Sequence, residues 1–433
     1  MKSKKKTSKT PSDKPGTHHL RFWRWHFFAG LIVAPILIVS AFTGGLYVLK
    51  PYIDEWTYGD LLRVPSATPG SSGKHVSEKT LSLQTQFDLV KAHSPESKIT
   101  SVLPAAKTGA TSEFLVQKGG ETRRIFIDPL SGRIIGERTQ ADLMDLMIRI
   151  HKNLLLGGAG RTLVELAVSW GVVLILTGLY LWWPRGRKKG ILWPRLSLKG
   201  RNFWRDLHAV TGALTGLIIL ILFITGISWT RFAGGNIDKL SEKIGRNTPG
   251  AYWFNIPVRK NPGAAALDLD ALFRKLEGKA LPLPYEIILP KNENQALLIR
   301  GNHREDRSKM FALQIDPYTG KVIFENRWGD NNAVIAKPHL IGVSLHMGEF
   351  FGLPNRLLMF TGCLGVFFLP VSGIILWWKR RPKGELAAPK KERKPIPIWL
   401  WIALGLFGVA LPAFGMTLAG GFLLDWIWGR IRT

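Results

Sequence analysis

The chain has 433 residues and one cysteine, Cys363. That excludes an internal disulfide framework, a Cys-ligated iron–sulfur cluster and a thiolate zinc site. Acids are scarce too: 31 Asp and Glu stand against 59 Lys and Arg, a formal charge of +28. A nucleic-acid binder would stripe such charge over a folded surface, but here it comes in blocks. Residues 1–25, 184–205 and 379–394 hold eight Lys/Arg each against only Asp13, Glu385 and Glu392, and so account for +21 of the +28. Each block borders a long apolar run. The excess charge therefore concerns membrane topology and lipid, and nucleic acid is excluded as a partner.

Five runs are long enough to cross about 30 Å of hydrocarbon: 27–49, 166–183, 207–230, 357–378 and 395–424. Lys/Arg excess marks the cytoplasmic side, so the three basic blocks belong inside and two long segments, about 50–150 and 231–345, lie outside. The first run is too long for a cleaved signal and no small-residue cleavage site follows it, so it reads as an anchor. The fifth contains Pro412, Gly415, Gly420 and Gly421, so it reads as a kinked span with an interfacial tail or as a shallow hairpin. The expected division is a basic start (1–25), first span (26–49), outer domain (50–150), interfacial segment and second span (151–183), basic loop (184–205) and third span (206–230). A second outer domain (231–345), an interfacial segment with the fourth span (346–378), a basic loop (379–394) and a fifth span with its tail (395–433) complete it.

The chain repeats itself. His26 is followed by Gly30 and by Thr43-Gly44, and His208 by Gly212 and Thr225-Gly226 at the same offsets. His151 precedes Gly157, Arg161, Gly178 and Trp182-Trp183; His346 precedes Gly352, Arg356, Gly373 and Trp377-Trp378 in the same register. Outside, Ile127-Asp-Pro-Leu-Ser-Gly-Arg133 answers Ile315-Asp-Pro-Tyr-Thr-Gly-Lys321, each reading as strand, turn, strand. Amphipathic helical stretches (about 82–93 and 267–276) precede them. The expected fold is an integral membrane α-helical bundle with an internal parallel duplication, two span–α+β domain–span units about an axis along the membrane normal, plus a fifth C-terminal span.

Four of the ten histidines occupy equivalent positions, as His26/His208 and His151/His346. A single histidine at a helix end usually snorkels to the interface; four in register at both ends of a duplicated bundle favour ligation. Two imidazoles facing each other across a pseudo-twofold axis can supply trans axial ligands to haem iron. No Cys-x-x-Cys-His occurs, so such haem is b-type. Gly30 and Gly212, one turn past their histidines, leave helix faces open to a porphyrin, and Arg161 and Arg356 are placed to pair with propionates. Zinc usually takes a fuller ligand set, and no acid repeats beside these histidines. Asp206, two before His208, reads as a boundary charge or a ligand-orienting acid. His339, seven before His346, shares its helical face if the helix is continuous.

The pattern Trp204-Arg-Asp-Leu-His208…Thr225-Gly226, with His151…Gly178-Leu-Tyr-Leu-Trp182-Trp183 and the Asp-Pro-x-Ser/Thr-Gly turns, resembles the PepSY-associated transmembrane family over about residues 20–380. That family includes iron-regulated inner-membrane proteins and di-haem ferric-siderophore reductases. The resemblance implies two PepSY-like α+β periplasmic domains and a multi-pass protein of the bacterial inner membrane with its N-terminus in the cytoplasm. It also implies two haems b on His26, His208, His151 and His346, and reduction of Fe(III) held by a periplasmic siderophore. The cytoplasmic segments carry no Gly-rich dinucleotide loop, so the electron donor is a quinol or a separate cytoplasmic reductase. The alternative implied by the PepSY modules is a non-enzymatic sensor or peptidase-regulating protein that binds a protein or peptide. Symmetry favours pairing His26 with His208 and His151 with His346, with pairing inside each half as the alternative. Across-axis pairing predicts that His26→Ala and His208→Ala, made singly, lose the same haem from the visible spectrum, and that His151→Ala and His346→Ala both lose the other.

Overall fold

A computed structural model describes residues 18–65, 80–139, 141–184, 190–244, 255–259, 265–301, 303, 309–327, 336–390, 392 and 395–431. Most of the first basic block and parts of the other two lie outside these residues, as do His75 and the His339 side chain.

Among the described residues four helices are long and apolar enough to cross a membrane. They are α1 (His19–Val48), α5 (Gly157–Trp182), α6 (Gly200–Gly226, extended by a 3-10 turn, Ile227–Trp229) and α10 (Leu353–Arg380). α1 packs on α5 and α10, and α6 packs on the same two, so the four close into a ring. Val33, Leu37, Ala167, Ile175, Ile219, Phe223 and Val366 fill its centre. Each helix starts or ends several residues beyond its apolar run, because the flanking Arg and Trp residues keep helical geometry while their tips reach the interface.

Two helices at the sheet end were not expected from periodicity, α2 (Lys50–Leu62) and α7 (Ala233–Ile244). Charges interrupt the apolar pattern of both. α3 (Leu83–His93) and α8 (Leu269–Lys275) fall where expected, capped by Ser82 and Asp268, whose side chains accept from the amides of Thr85 and Ala271. Gln84 and Asp270 bind them together: the Gln84 amide donates to the Asp270 carboxylate and the Leu269 amide donates to the Gln84 side chain.

Among the described residues the two extramembrane segments contribute four strands each, β1 (Lys98–Leu103), β2 (Ser112–Lys118), β3 (Glu121–Ile127) and β4 (Ile134–Thr139), then β5 (Tyr285–Ile288), β6 (Leu297–Gly301), β7 (Phe311–Ile315) and β8 (Val322–Arg327). The two sets do not stay apart. β1 pairs antiparallel with β5, Ser101 opposite Ile288 and Val102 opposite Ile287, so one eight-stranded sheet runs β4-β3-β2-β1-β5-β6-β7-β8. A shared core on one face takes Val90, Phe114 and Ile125 from the first half and Leu272, Phe311 and Leu313 from the second. Edge strands left open at β1 and β5 would be two pairing hazards; joining them removes both. The Asp-Pro turns form as read: the Gly132 and Gly320 amides donate to the carbonyls of Asp128 and Asp316 at 2.9 and 2.8 Å, and φ values of 75° and 71° require glycine there.

The spans connect to the sheet through two short helices. β4 leads into α4 (Leu143–Asn153), which carries His151 and packs on α1 and α5; α9 (Ala336–His346), after β8, ends on His346 and packs on α6 and α10. The fifth apolar run is not one continuous helix. It breaks at Leu411 into α11 (Ile398–Ala410) and α12 (Pro412–Ile431), because Pro412 has no amide to continue the ladder. The two lie against each other with Gly415 on Gly408, and α12 meets the bundle through Trp170, whose indole N–H donates to Thr417 Oγ1 at 3.1 Å.

Ile287 is fully buried where the two sheet halves join. Ile287→Ala is expected to cost about 2–5 kcal/mol and to lower the midpoint of the β-sheet signal in a denaturant melt followed by circular dichroism, leaving the helical signal of the bundle in place.

Candidate functional site

The four repeat-equivalent histidines come together as two pairs. His26 of α1 faces His208 of α6 with ring centroids 6.3 Å apart and planes crossing at 89°. His151 of α4 faces His346 of α9 at 6.2 Å and 59°. The pairs sit at opposite ends of the ring. His151 binds α1 at Ser40 and Thr43, and Thr43 lies 17 residues beyond His26, about 25 Å along the helix. The His26 pair lies at the end carrying the basic blocks (the collar end) and the His151 pair at the sheet end.

Every ring is seated the same way. His26 Nδ1 is 3.0 Å from Thr177 Oγ1 and His208 Nδ1 is 2.8 Å from Ser372 Oγ. His151 Nδ1 is 2.8 Å from the Ser40 carbonyl with Thr43 Oγ1 at 3.4 Å, and His346 Nδ1 is 3.0 Å from the Leu222 carbonyl with Thr225 Oγ1 at 3.1 Å. The four hydroxyls already donate to carbonyls of their own helices, Thr177 to Val173, Ser372 to Leu369, Thr43 to Val39 and Thr225 to Ile221. An oxygen whose proton is committed can only accept, as a carbonyl can only accept. Each Nδ1 therefore carries the hydrogen and each Nε2 keeps its lone pair. Metal-binding histidines are held in this way, by a hydrogen bond from the other ring nitrogen.

At three of the four seats a glycine makes room for the ring; at the fourth, Gly373, a Cβ would stand in ordinary contact. A Cβ on Gly44 would come within 2.9 Å of His151 Cε1, on Gly226 within 2.9 Å of His346 Cε1, on Gly178 within 3.2 Å of His26 Cε1, and on Gly373 within 3.7 Å of His208 Cε1. Hydroxyl and glycine are adjacent in all four spans: Thr43-Gly44, Thr177-Gly178, Thr225-Gly226 and Ser372-Gly373. The glycines, with Thr43 and Thr225, were visible as marks of the repeat; Thr177 and Ser372 were the unread signal.

Around His26 and His208 lies a cavity of about 490 Å³, within the range of cofactor sites. Its walls are apolar, from Phe27, Leu174, Phe223 and Leu369, and Trp23, Trp182 and Trp377 stand with Arg201, Arg205 and Arg380 at the collar end. Gly30 lines it; Gly212 is not among its lining residues and faces Leu369 at 3.5 Å. Arg161 and Arg356 stand at the sheet end. Arg161 donates to the Trp229 carbonyl at 2.9 Å, and the Trp229 ring lies 5.3 Å from His346. Arg356 donates to the Tyr52 hydroxyl at 3.3 Å and backs onto Gly348, two residues past His346. Asp206 is engaged by arginine rather than by His208: it is buried and held by Arg195 through both oxygens at 2.6 and 3.0 Å. Sequence reasoning missed the three cavity arginines, which it counted only as topological charge.

Two imidazoles sharing one metal, each with a nitrogen about 2.0 Å from it, would have their centroids about 6 Å apart. The observed separations match that, and each ring offers a neutral Nε2. Among the described residues no three His, Cys, Asp or Glu side chains gather in one place.

Four bundled apolar helices joined to an antiparallel eight-stranded sheet define a multi-pass membrane protein with an extramembrane α+β part. The chain belongs to the family described as PepSY-associated TM region, which matches residues 23–380. No curated protein matches it.

Because the seats at the sheet end depend on Gly44 and Gly226, the double variant Gly44→Val, Gly226→Val is expected to displace both rings there while sparing the collar-end pair. On the expectation of one haem per histidine pair, a pyridine haemochrome assay checks this: the bound haem should fall to half that of the unaltered protein.

Proposed function

We propose that the protein is a b-type haem ferric-siderophore reductase that moves electrons across a bacterial inner membrane. His26 with His208 and His151 with His346 each hold one haem. The reading is carried by one observation: two imidazole pairs at opposite ends of the ring, each spaced for a shared metal with every Nδ1 engaged by an acceptor. The two halves descend from a parallel duplication, since histidines, hydroxyls and glycines recur at the same offsets. The basic collars put the N-terminus and the His26 pair at the cytoplasmic side and the sheet in the periplasm.

Bound haem supplies reversible one-electron Fe(III)/Fe(II) chemistry. The chain supplies the rest. Nδ1–H bonds to fixed acceptors hold each imidazole in one orientation, so little rearrangement accompanies a change of charge. Val33, Leu37, Ile219, Phe223 and Val366 fill the layer between the pairs and keep water out of it. At the sheet end, an electron passed to a siderophore-bound Fe(III) yields Fe(II), which hard oxygen ligands hold less well, and iron is released for uptake. A quinol or a cytoplasmic reductase feeds the collar-end pair, where the cavity lies.

The test uses full-length protein in liposomes. The dithionite-reduced protein should show a sharp b-haem α-band, and the oxidised protein two low-spin EPR signals, because the ring planes cross at 89° in one pair and 59° in the other. Ferric siderophore on the sheet side should yield Fe(II), caught by a chelator, and His26→Ala or His151→Ala should slow this at least about tenfold, since removing one link interrupts the path. A colourless protein from cells given haem precursor would refute the reading and favour a non-enzymatic module that binds a protein or peptide.

A further inference from the structure

The collar-end cavity is asymmetric. Its walls are apolar, yet its rim carries Arg201, Arg205 and Arg380, and none of the described residues lining it is acidic. Arg380 closes α10 with its guanidinium 5.0 Å from the rings of both Trp23 and Phe27. It donates to the Ala387 carbonyl, but its Nε is buried with no acceptor among the described residues. A buried donor left without an acceptor is costly. Arg380 also stands close enough to Arg201 for the like charges to repel. Arg205 has one long contact, 3.4 Å to Asp206, an acid already gripped through both oxygens by Arg195. Three cations thus share an edge where Asp206, the acid that Arg205 reaches, is committed elsewhere.

A slot with two ring nitrogens at its centre, apolar walls and cations along one edge suits a flat molecule that is apolar over most of its area and carries carboxylates on one side. Guanidinium forks match carboxylates in geometry as well as charge. At the sheet end the nearby arginines are engaged differently, Arg161 on a carbonyl and Arg356 on a hydroxyl.

We propose that Arg201, Arg205 and Arg380 bind the two carboxylates of the tetrapyrrole held by His26 and His208, with its carboxylate edge at the collar surface. This rests on the reading of those histidines as an iron-ligating pair. The arginines are positioning residues: they set which edge of the group meets the donor side.

The same cations would also attract a lipid phosphate, so the test compares two probes, iron protoporphyrin and its dimethyl ester. Full-length His346→Ala protein, which keeps the collar-end pair, is loaded with each, and transfer to apomyoglobin is followed by absorbance. Loss of charge-assisted hydrogen bonds in Arg201→Gln, Arg205→Gln, Arg380→Gln is expected to speed release of the free acid at least about tenfold and to leave the ester within about twofold. The corresponding triple lysine variant keeps the charges and should stay within about threefold of its parent. Equal release of acid and ester from the parent, or unchanged release from the glutamine variant, overturns the assignment. So does a lysine variant as leaky as the glutamine one. If His346→Ala protein shows no low-spin bis-imidazole spectrum at all, the parent reading of the histidine pair fails instead, and this assignment with it.

Discussion

An imidazole placed among apolar helices must find an acceptor for its N–H, because no water is there to take it. In this protein that requirement is met four times, each with a backbone carbonyl or a hydroxyl whose own proton is already committed. The solution settles the tautomer, and the tautomer decides the chemistry, since only Nε2 keeps a lone pair. It also constrains the helices. Thr and Ser sit where their hydroxyls can bond back to the preceding turn, and glycine follows so that the ring can approach the helix surface.

The sheet helps to position the sheet-end pair. β4 and β8 are its two outermost strands, and each leads toward a histidine-bearing short helix, α4 or α9. Pairing of β1 with β5 makes the two halves one body with a common core. Left as separate domains, they could shift independently and take His151 and His346 with them. One continuous sheet therefore ties together what two independent outer domains would leave loose.

At the other end the loops are drawn under the bundle by tryptophans in register. The Trp182 indole donates to the Ile191 carbonyl at 3.0 Å and Trp377 to the Leu386 carbonyl at 2.9 Å. Arg24 adds a bond to the Pro389 carbonyl at 2.5 Å. Part of the charge of the basic blocks is thus folded into the floor of the cavity around His26 and His208.

Much of this was legible in the chain alone. The four spans, the Asp-Pro turns, the repeat and the four histidines follow from apolar length, turn chemistry and offset, which are local or periodic properties. The separation of the pairs along the bundle follows as well, because helical rise converts 17 residues into distance. What needed the tertiary structure was anything set by contact between distant segments. The β1–β5 junction rests on two short strands almost two hundred residues apart. The hydroxyl seats join α1 to α5, α6 to α10, α4 to α1 and α9 to α6, and the break of the fifth run at Pro412 matters only through what α11 and α12 then touch. Residue type and spacing determined which side chains are able to serve; packing decided which oxygen each one meets, because a hydrogen bond is a matter of ångströms between chains that the sequence places far apart.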